Sequence, residues 1–286
     1  MLSERYETET REMSMHSIEA NGARIPIVGL GTYGLQGKVC ARMVEAAFKL
    51  GYRHIDTAAM YGNEQAVGEG FRASGLSRDE VFITTKVWQS DLAPRDFERS
   101  TKDSLDKLKL PFVDLLLIHW PNPRIPLPGT IGAMCKMKRE GLARHVGVSN
   151  FTPALIEQAV QHSSEPLVCN QFECHPYLDA SKAIAASRQR GMAVVAYSPI
   201  ARGQVKGDAV LTRIGKPHGK TAAQVCLRFL VQQDIVAIPR TSDMGRLKEN
   251  FTLFDFTLSA AEMREIAALG SPKGRIVNWA GSPDWD

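Results

Sequence analysis

Eight short apolar runs, each followed by a stretch long enough for a helix, constrain this chain more than any other feature. They read IVGLG, YRHID, VFITTK, FVDLLLIH, HVGVS, LVCNQ, MAVVAYS and DIVAIP. Most lack the apolar–polar alternation of a half-solvated strand, as expected for strands covered on both faces. Between the runs the period changes. From Val39 to Leu50, Cys40, Met43, Val44 and Ala47 share one helical face, and Phe97, Thr101, Leu105 and Leu108 do so further on. Ser77 to Glu80 has capping-box spacing but leads straight into a strand, so it reads as a turn. Strand–helix alternation implies a parallel sheet. No linker, low-complexity block or composition shift divides the 286 residues. Eight such units predict an α/β fold, a single (β/α)8 TIM barrel. Ahead of them, SIEANGARIPIVG, with Asn21-Gly22 as its turn, predicts an N-terminal β-hairpin. The polar residues 1–15 predict a disordered tail, leaving 16–286 for the barrel.

Charge and cysteine usage narrow the partners. The net charge is +4 and the pI about 8.8. That suits a phosphate-bearing small ligand, and the scattered basic residues give no footprint for nucleic acid. No apolar run approaches a membrane span. The cysteines number five, an odd count, and form no C-x-x-C. Free thiols in a reducing compartment follow, and the N-terminal stretch lacks the apolar core of a signal peptide; a cytoplasmic protein is expected. Cys169, Cys174 and His175 lie close in sequence without a spacing typical of zinc, so no metal is expected.

A barrel places its chemistry at the C-terminal ends of several strands. The residues there are Asp56, Lys86, His119, Ser149 with Asn150, Gln171, Tyr197 and Arg240, after the second to eighth runs in turn. Nearly every run thus ends in a polar group on one rim, which describes a site. Gly29, Gly31 and Gly34 complicate this. They spell G-x-G-x-x-G after a strand, with Asp56 about twenty residues on, and so imitate a dinucleotide fingerprint. Gln36-Gly37 interrupts before the helix, however, and a Rossmann-type NAD dehydrogenase would leave the other strand ends unexplained. A short-chain dehydrogenase would need Y-x-x-x-K, which is absent. Glycine turns at the first strand exit are the simpler reading, with backbone near Thr32 able to approach a cofactor.

The segments GYRHIDTAAMYGNEQAVG, FITTKVW, DLLLIHWP, GVSNF, NQFECHPY, AYSPIARG and RLKEN resemble, in order and spacing, the aldo-keto reductase superfamily. The resemblance runs from about residue 16 to residue 270, and within the superfamily it is greatest to bacterial 2,5-diketo-D-gluconate reductases. It implies reduction of aldehydes or ketones with NADPH by a monomer, through Asp56, Tyr61, Lys86 and His119. Physical chemistry agrees with those types. A tyrosine titrating near pH 10 is a reluctant acid. A cation such as Lys86 would lower that value, and Asp56 would keep Lys86 charged and oriented. His119 would hydrogen-bond the carbonyl oxygen. Each has a structural alternative, such as a capping Asp56 or a core His119, but their arrival together on successive strand ends favours the site.

The resemblance also implies cofactor contacts. Tyr197 would stack on the nicotinamide, with Ser149, Asn150 and Gln171 on its carboxamide and Ser198, Pro199 and Ile200 lining a pyrophosphate loop. At IPRTSDMGRLKEN the family usually reads I-P-K-S, whereas this chain has Arg240-Thr241. Arginine keeps the charge and adds a planar fork, so Arg240 and Arg246 would grip a 2′-phosphate, with Glu249 and Asn250 at the adenine. The alternative for these four is solvated loop and helix surface. Trp88 and Trp120 are expected to wall the substrate pocket, and the C-terminal tail with Trp279 and Trp285 to cover it. Small dicarbonyls or keto-sugar acids, like methylglyoxal or 2,5-diketo-D-gluconate, are the expected substrates. The competing function is a cofactor-sensing regulatory or binding protein on the same fold.

Overall fold

The computed structural model describes residues 16–285; the tail expected over residues 1–15 lies outside them. Strand β1 (Ser17–Ala20) pairs antiparallel with β2 (Ala23–Pro26) around the two-residue turn Asn21-Gly22. Both turn residues have positive φ, 45° and 86°, which asparagine and glycine tolerate. Eight strands then form one parallel sheet whose spatial order is its chain order. They are β3 (Leu30–Gly31), β4 (His54–Asp56), β5 (Phe82–Val87), β6 (Val113–Ile118), β7 (Ala143–Ser149), β8 (Leu167–Glu173), β9 (Ala193–Tyr197) and β10 (Ile235–Ala237). Helices α1 (Gly37–Leu50), α2 (Glu64–Ser74), α3 (Pro94–Leu108), α4 (Leu127–Arg139), α5 (Pro153–His162) and α6 (Ser181–Gln189) link successive strands. Two helices, α7 (Ala209–His218) and α8 (Ala222–Val231), separate β9 from β10, and α9 (Met244–Phe251) and α10 (Ala260–Ala267) follow.

Burial explains the sequence pattern. On β6, Leu115 and Leu117 join an inner cluster with Phe82, Val168, Val195 and Val236, while Leu116 and Ile118 pack outward. Both faces are apolar, so the runs do not alternate in polarity. On α1, Cys40, Met43, Val44, Ala47 and Phe48 are buried, and Gly51 ends the helix at φ 106°. The Ser77–Glu80 stretch is a 3₁₀ turn, Arg78–Glu80, that also makes both capping-box bonds. Ala20, Ala23 and Ile25 of the hairpin join the inner cluster, and Asn21 Nδ2 donates to the Leu167 carbonyl at the start of β8, 2.8 Å away. The hairpin therefore covers the end where the strands begin, leaving the other end for a site.

The glycine pattern has a packing cause. A Cβ on Gly29 would lie 2.8 Å from the His54 ring, and one on Gly31 would lie 2.7 Å from the Ile238 carbonyl oxygen. Here the sheet curls until its two edges meet. Gly29 N–H donates to Ala237 O at 2.9 Å, Ala237 N–H to Ile27 O at 2.9 Å and Gly31 N–H to Pro239 O at 3.1 Å. Gly31 thus admits the last strand against the first, Gly29 leaves room for the His54 ring, and Gly34, at φ 73°, forms a turn. The sequential strand order of this TIM-barrel-like sheet removes the doubly wound dinucleotide fold from consideration.

Candidate active site

Lys86 has no exposed surface, and Asp56 on the neighbouring strand is 2% exposed. A buried ammonium needs an anion and further acceptors to offset its lost hydration. Lys86 Nζ donates to Asp56 Oδ1 at 2.6 Å and to the Thr57 carbonyl at 2.8 Å. Its remaining direction points to Tyr61 Oη, 3.4 Å away. Tyr61 reaches this place through a single 3₁₀ turn, Ala59–Tyr61, which Gly62 ends at φ 66°. The acid and the phenol that close the second apolar run thus meet at one lysine.

Electrostatics correct one expectation. The Tyr61 phenol is pushed well above its ordinary value of 10, by burial first and then by Asp56 and Tyr33. Lys86 was expected to draw it down. Burial, the largest cause, outweighs the ammonium, and Asp56, nearer to Lys86 than the phenol is, acts in the same upward direction. Burial also lowers the pKa of Lys86, with Asp56 acting against it. Tyr61 is accordingly a neutral phenol at neutral pH. His119 is pushed well below 6.5 by burial and then by Lys86, so its imidazole is neutral too. Its ring stands 5.6 Å from that of Tyr61 and 5.0 Å from that of Trp88, edge-on in both cases. His119 Nδ1 is buried without a hydrogen-bond partner among the described residues.

The ends of β7, β8 and β9 form a second polar group joined to the first. Ser149 Oγ donates to the Gln171 carbonyl at 2.8 Å. Asn150, held at φ 63°, donates through Nδ2 to the His119 carbonyl at 2.9 Å and accepts from Tyr197 Oη at 2.8 Å. Gln171 Nε2 donates to Asp56 Oδ2 at 2.8 Å. Asp56 therefore bridges Lys86 and Gln171, one oxygen to each. Thr32 braces it from behind, with both its N–H and its hydroxyl 3.0 Å from the Asp56 carbonyl. Trp279 stacks on Trp88 with centroids 5.7 Å apart and meets Trp120 edge-on at 5.7 Å, while Trp285 reaches Trp120 at 6.1 Å.

The remaining expected residues lie on adjoining loops and on α9. Ser198, Pro199 and Ile200 lead from β9 into a 3₁₀ turn, Ala201–Gly203, and the Pro199 carbonyl accepts from the Cys226 thiol at 2.9 Å. Arg240 is exposed and spends its guanidinium on backbone: Nε lies 3.2 Å from Tyr33 O and Nη2 lies 3.3 Å from Gly34 O. Arg246 and Glu249 are exposed on α9. Thr241 and Asn250 are buried, which removes the reading of Asn250 as helix surface. Thr241 Oγ1 accepts from Asp243 N–H at 3.0 Å, shaping the turn into α9.

Sequence reasoning missed three residues. Asn63 is buried and ties loops together, donating to Thr32 O and Leu35 O at 2.9 Å each and accepting from Thr57 Oγ1 at 2.8 Å. The Thr57 carbonyl holds Lys86, a backbone role that no side-chain pattern reveals. Glu173 ends β8, two residues beyond the run read as LVCNQ; a continued strand through Phe172 was the available signal.

The Aldo/keto reductase family model matches residues 28–271. The chain belongs to that family. It is an oxidoreductase acting on carbonyl compounds. Among curated relatives of this aldo-keto reductase, Methylglyoxal reductase DkgB of Escherichia coli O157:H7 is 39% identical over 266 residues, covering 92% of this chain and 99% of that protein. Glyoxal reductase of Bacillus subtilis is 39% identical over 250 residues, covering 87% and 90%. A crystal structure provisionally described as a 2,5-diketo-D-gluconic acid reductase B superposes with a TM-score of 0.94 at 46% identity, covering 96% of this chain and 99% of that one. A Bombyx mori aldo-keto reductase in complex with NADP gives a TM-score of 0.87 at 33% identity, covering 94% and 97%.

Proposed function

We propose that this aldo-keto reductase reduces small aldehydes and ketones with NADPH, Tyr61 giving the proton. The observation that carries this reading is the convergence of Asp56 and Tyr61 on the buried ammonium of Lys86, with a neutral His119 ring alongside. The curled sheet is read as a closed (β/α)8 barrel, supported by the hydrogen bonds between its edges. When bound, NADPH supplies the hydride. Its fit is supported by donor chemistry: a neutral amide set at Asn150 and Gln171 beside the half-buried ring of Tyr197 suits a carboxamide and its ring, and exposed Arg240 and Arg246 suit phosphate. The Bombyx mori relative binds NADP.

In the chemical step Tyr61 Oη gives its proton to the oxygen that becomes the alcohol. A phenol with a raised pKa still suffices, because an alkoxide is a far stronger base than a phenolate. Neutral His119 offers a ring N–H to the same oxygen and orients it, adding no competing cation beside Lys86. Asp56 keeps Lys86 in place and links it to Gln171. The tail residue Trp279 over Trp88 favours small dicarbonyls, in keeping with the relatives named for methylglyoxal and glyoxal. Among the described residues no helix is long and apolar enough to cross a membrane. With five buried free thiols, the chain is read as a cytoplasmic monomer that needs neither nucleic acid nor metal. Ranking kcat/KM with NADPH for methylglyoxal, glyoxal and 2,5-diketo-D-gluconate decides the substrate class. No turnover of any of them would favour a cofactor-sensing role.

Cofactor choice gives a sharper test. Arg246 makes no side-chain hydrogen bond or ion pair among the described residues, so it is free to read a phosphate. Arg240 also holds the Tyr33–Gly34 loop. A charge-assisted bond to phosphate is worth roughly 1.5–3 kcal/mol. Arg246→Ala should therefore weaken NADPH about 10- to 150-fold and leave NADH nearly unchanged. Arg240→Ala should weaken both cofactors, NADPH more. Fluorescence titration measures this; equal losses of the two cofactors in Arg246→Ala would remove the physical basis for NADPH preference.

A further inference from the structure

The C-terminal segment is tied to the end of β8 by a buried carboxylate. Glu173 has no exposed surface. Its Oε1 accepts from Ile276 N–H at 2.7 Å and bonds His175 Nε2 at 2.8 Å. Its Oε2 accepts from Val277 N–H at 2.8 Å and faces Arg275 Nη1 at 3.9 Å. Burial would raise the Glu173 pKa, but the bonds from His175 and the two amides hold it below the usual carboxylate value. The group is therefore a fixed anion, and none of the chemistry at Tyr61 uses it.

What it holds is the path of the chain. Just upstream, Ser271 N–H donates to Tyr177 O at 3.0 Å and Asp179 N–H to Ser271 O at 3.1 Å, which fixes where the segment leaves the body. Residues 274–285 then form no helix or strand. Ile276 and Val277 bond Glu173, and two residues later Trp279 lies on Trp88, whose ring touches His119. Arg275, with its guanidinium 3.6 Å over the Trp285 ring, ties the end of the segment back to its beginning. Backbone N–H groups are indifferent to side-chain identity, so a carboxylate gripping two in succession sets the position of the chain itself.

We propose that Glu173 is a specificity-determining positioning residue: by gripping Ile276 and Val277 it sets Trp279 over the carbonyl site and sizes that site for small substrates. This rests on reading Tyr61, Lys86 and His119 as the carbonyl site. Glu173 has no exposed surface with which to meet a substrate or cofactor, and it acts through the segment.

The test pairs a readout independent of activity with a kinetic one. Glu173→Gln keeps the shape but turns one acceptor into a donor facing an N–H. Val277→Pro deletes one of the two N–H groups from the tail side and leaves Glu173 intact, so it covers the case in which Glu173→Gln fails to fold. In both variants the Ile276 amide should exchange with deuterium at least about 10-fold faster. With NADPH, KM for methylglyoxal should rise about 10-fold while kcat changes by less than about 3-fold, and a bulky aryl aldehyde should lose nothing in kcat/KM. Unchanged amide protection, or faster exchange with the small-to-bulky preference intact, would overturn the proposal. Wild-type protein inactive on every carbonyl would instead overturn the reading of the site, while the exchange data would still report whether Glu173 holds the segment.

Discussion

Tyr61→Phe should lower kcat by about 10²–10⁴-fold, the usual worth of a positioned acid, and leave fold and cofactor affinity in place. The ring remains, so its edge contacts with Tyr33 at 5.1 Å and His119 at 5.6 Å survive. Lys86 loses only its longest contact and keeps Asp56 and Thr57. Nothing buried is left without a partner, so the thermal midpoint should stay close to that of the wild type. The loss should appear in kcat and in kcat/KM alike, because the hydroxyl acts on an oxygen whose charge develops only in the transition state. Near-wild-type turnover would eliminate Tyr61 as the proton donor. A fall in stability matching the fall in rate would mean that the phenol props up the fold.

Lys86→Met should damage both rate and stability. Asp56, 2% exposed, would keep Gln171 but lose its counter-charge. Breaking a buried pair by removing one partner costs roughly 3–5 kcal/mol, so a marked drop in thermal midpoint is expected. Burial and Asp56 would then act unopposed on Tyr61, raising its pKa further and making it a weaker acid near neutral pH. Reduction should fall about 100-fold or more, with NADPH affinity largely kept because the groups at Ser149, Asn150 and Tyr197 are untouched. The pH–rate profile measures the coupling. An overlay of variant and wild-type profiles would show that the lysine does not act on the phenol.

What the sequence disclosed depended on whether the deciding contact was local. Asp56, Lys86 and His119 stood out because each puts an ionisable group at the end of an apolar run, where packing alone would not place one. The three glycines imitated a fingerprint because a phosphate loop and a tight contact both exclude a Cβ; for Gly31 that contact is the Ile238 carbonyl, far along the chain, and for Gly29 the His54 ring. The direction of the Tyr61 shift was hidden for a related reason. Residue types place a cation near a phenol, but the outcome turns first on the burial of Tyr61 and then on Asp56, which lies 2.6 Å from Lys86. Glu173 gave no signal, because the amides it grips, those of Ile276 and Val277, belong to a distant segment.

The most direct test of the central claim follows the hydrogen itself. The enzyme is given methylglyoxal and NADPH carrying deuterium at both C4 positions, and the alcohol is examined by mass spectrometry and NMR. Hydride delivery to the carbonyl carbon predicts one deuterium on the new carbinol carbon, with the hydroxyl proton drawn from Tyr61 and thus exchangeable with water. Alcohol without deuterium at that carbon, or no alcohol despite bound cofactor, would contradict the account.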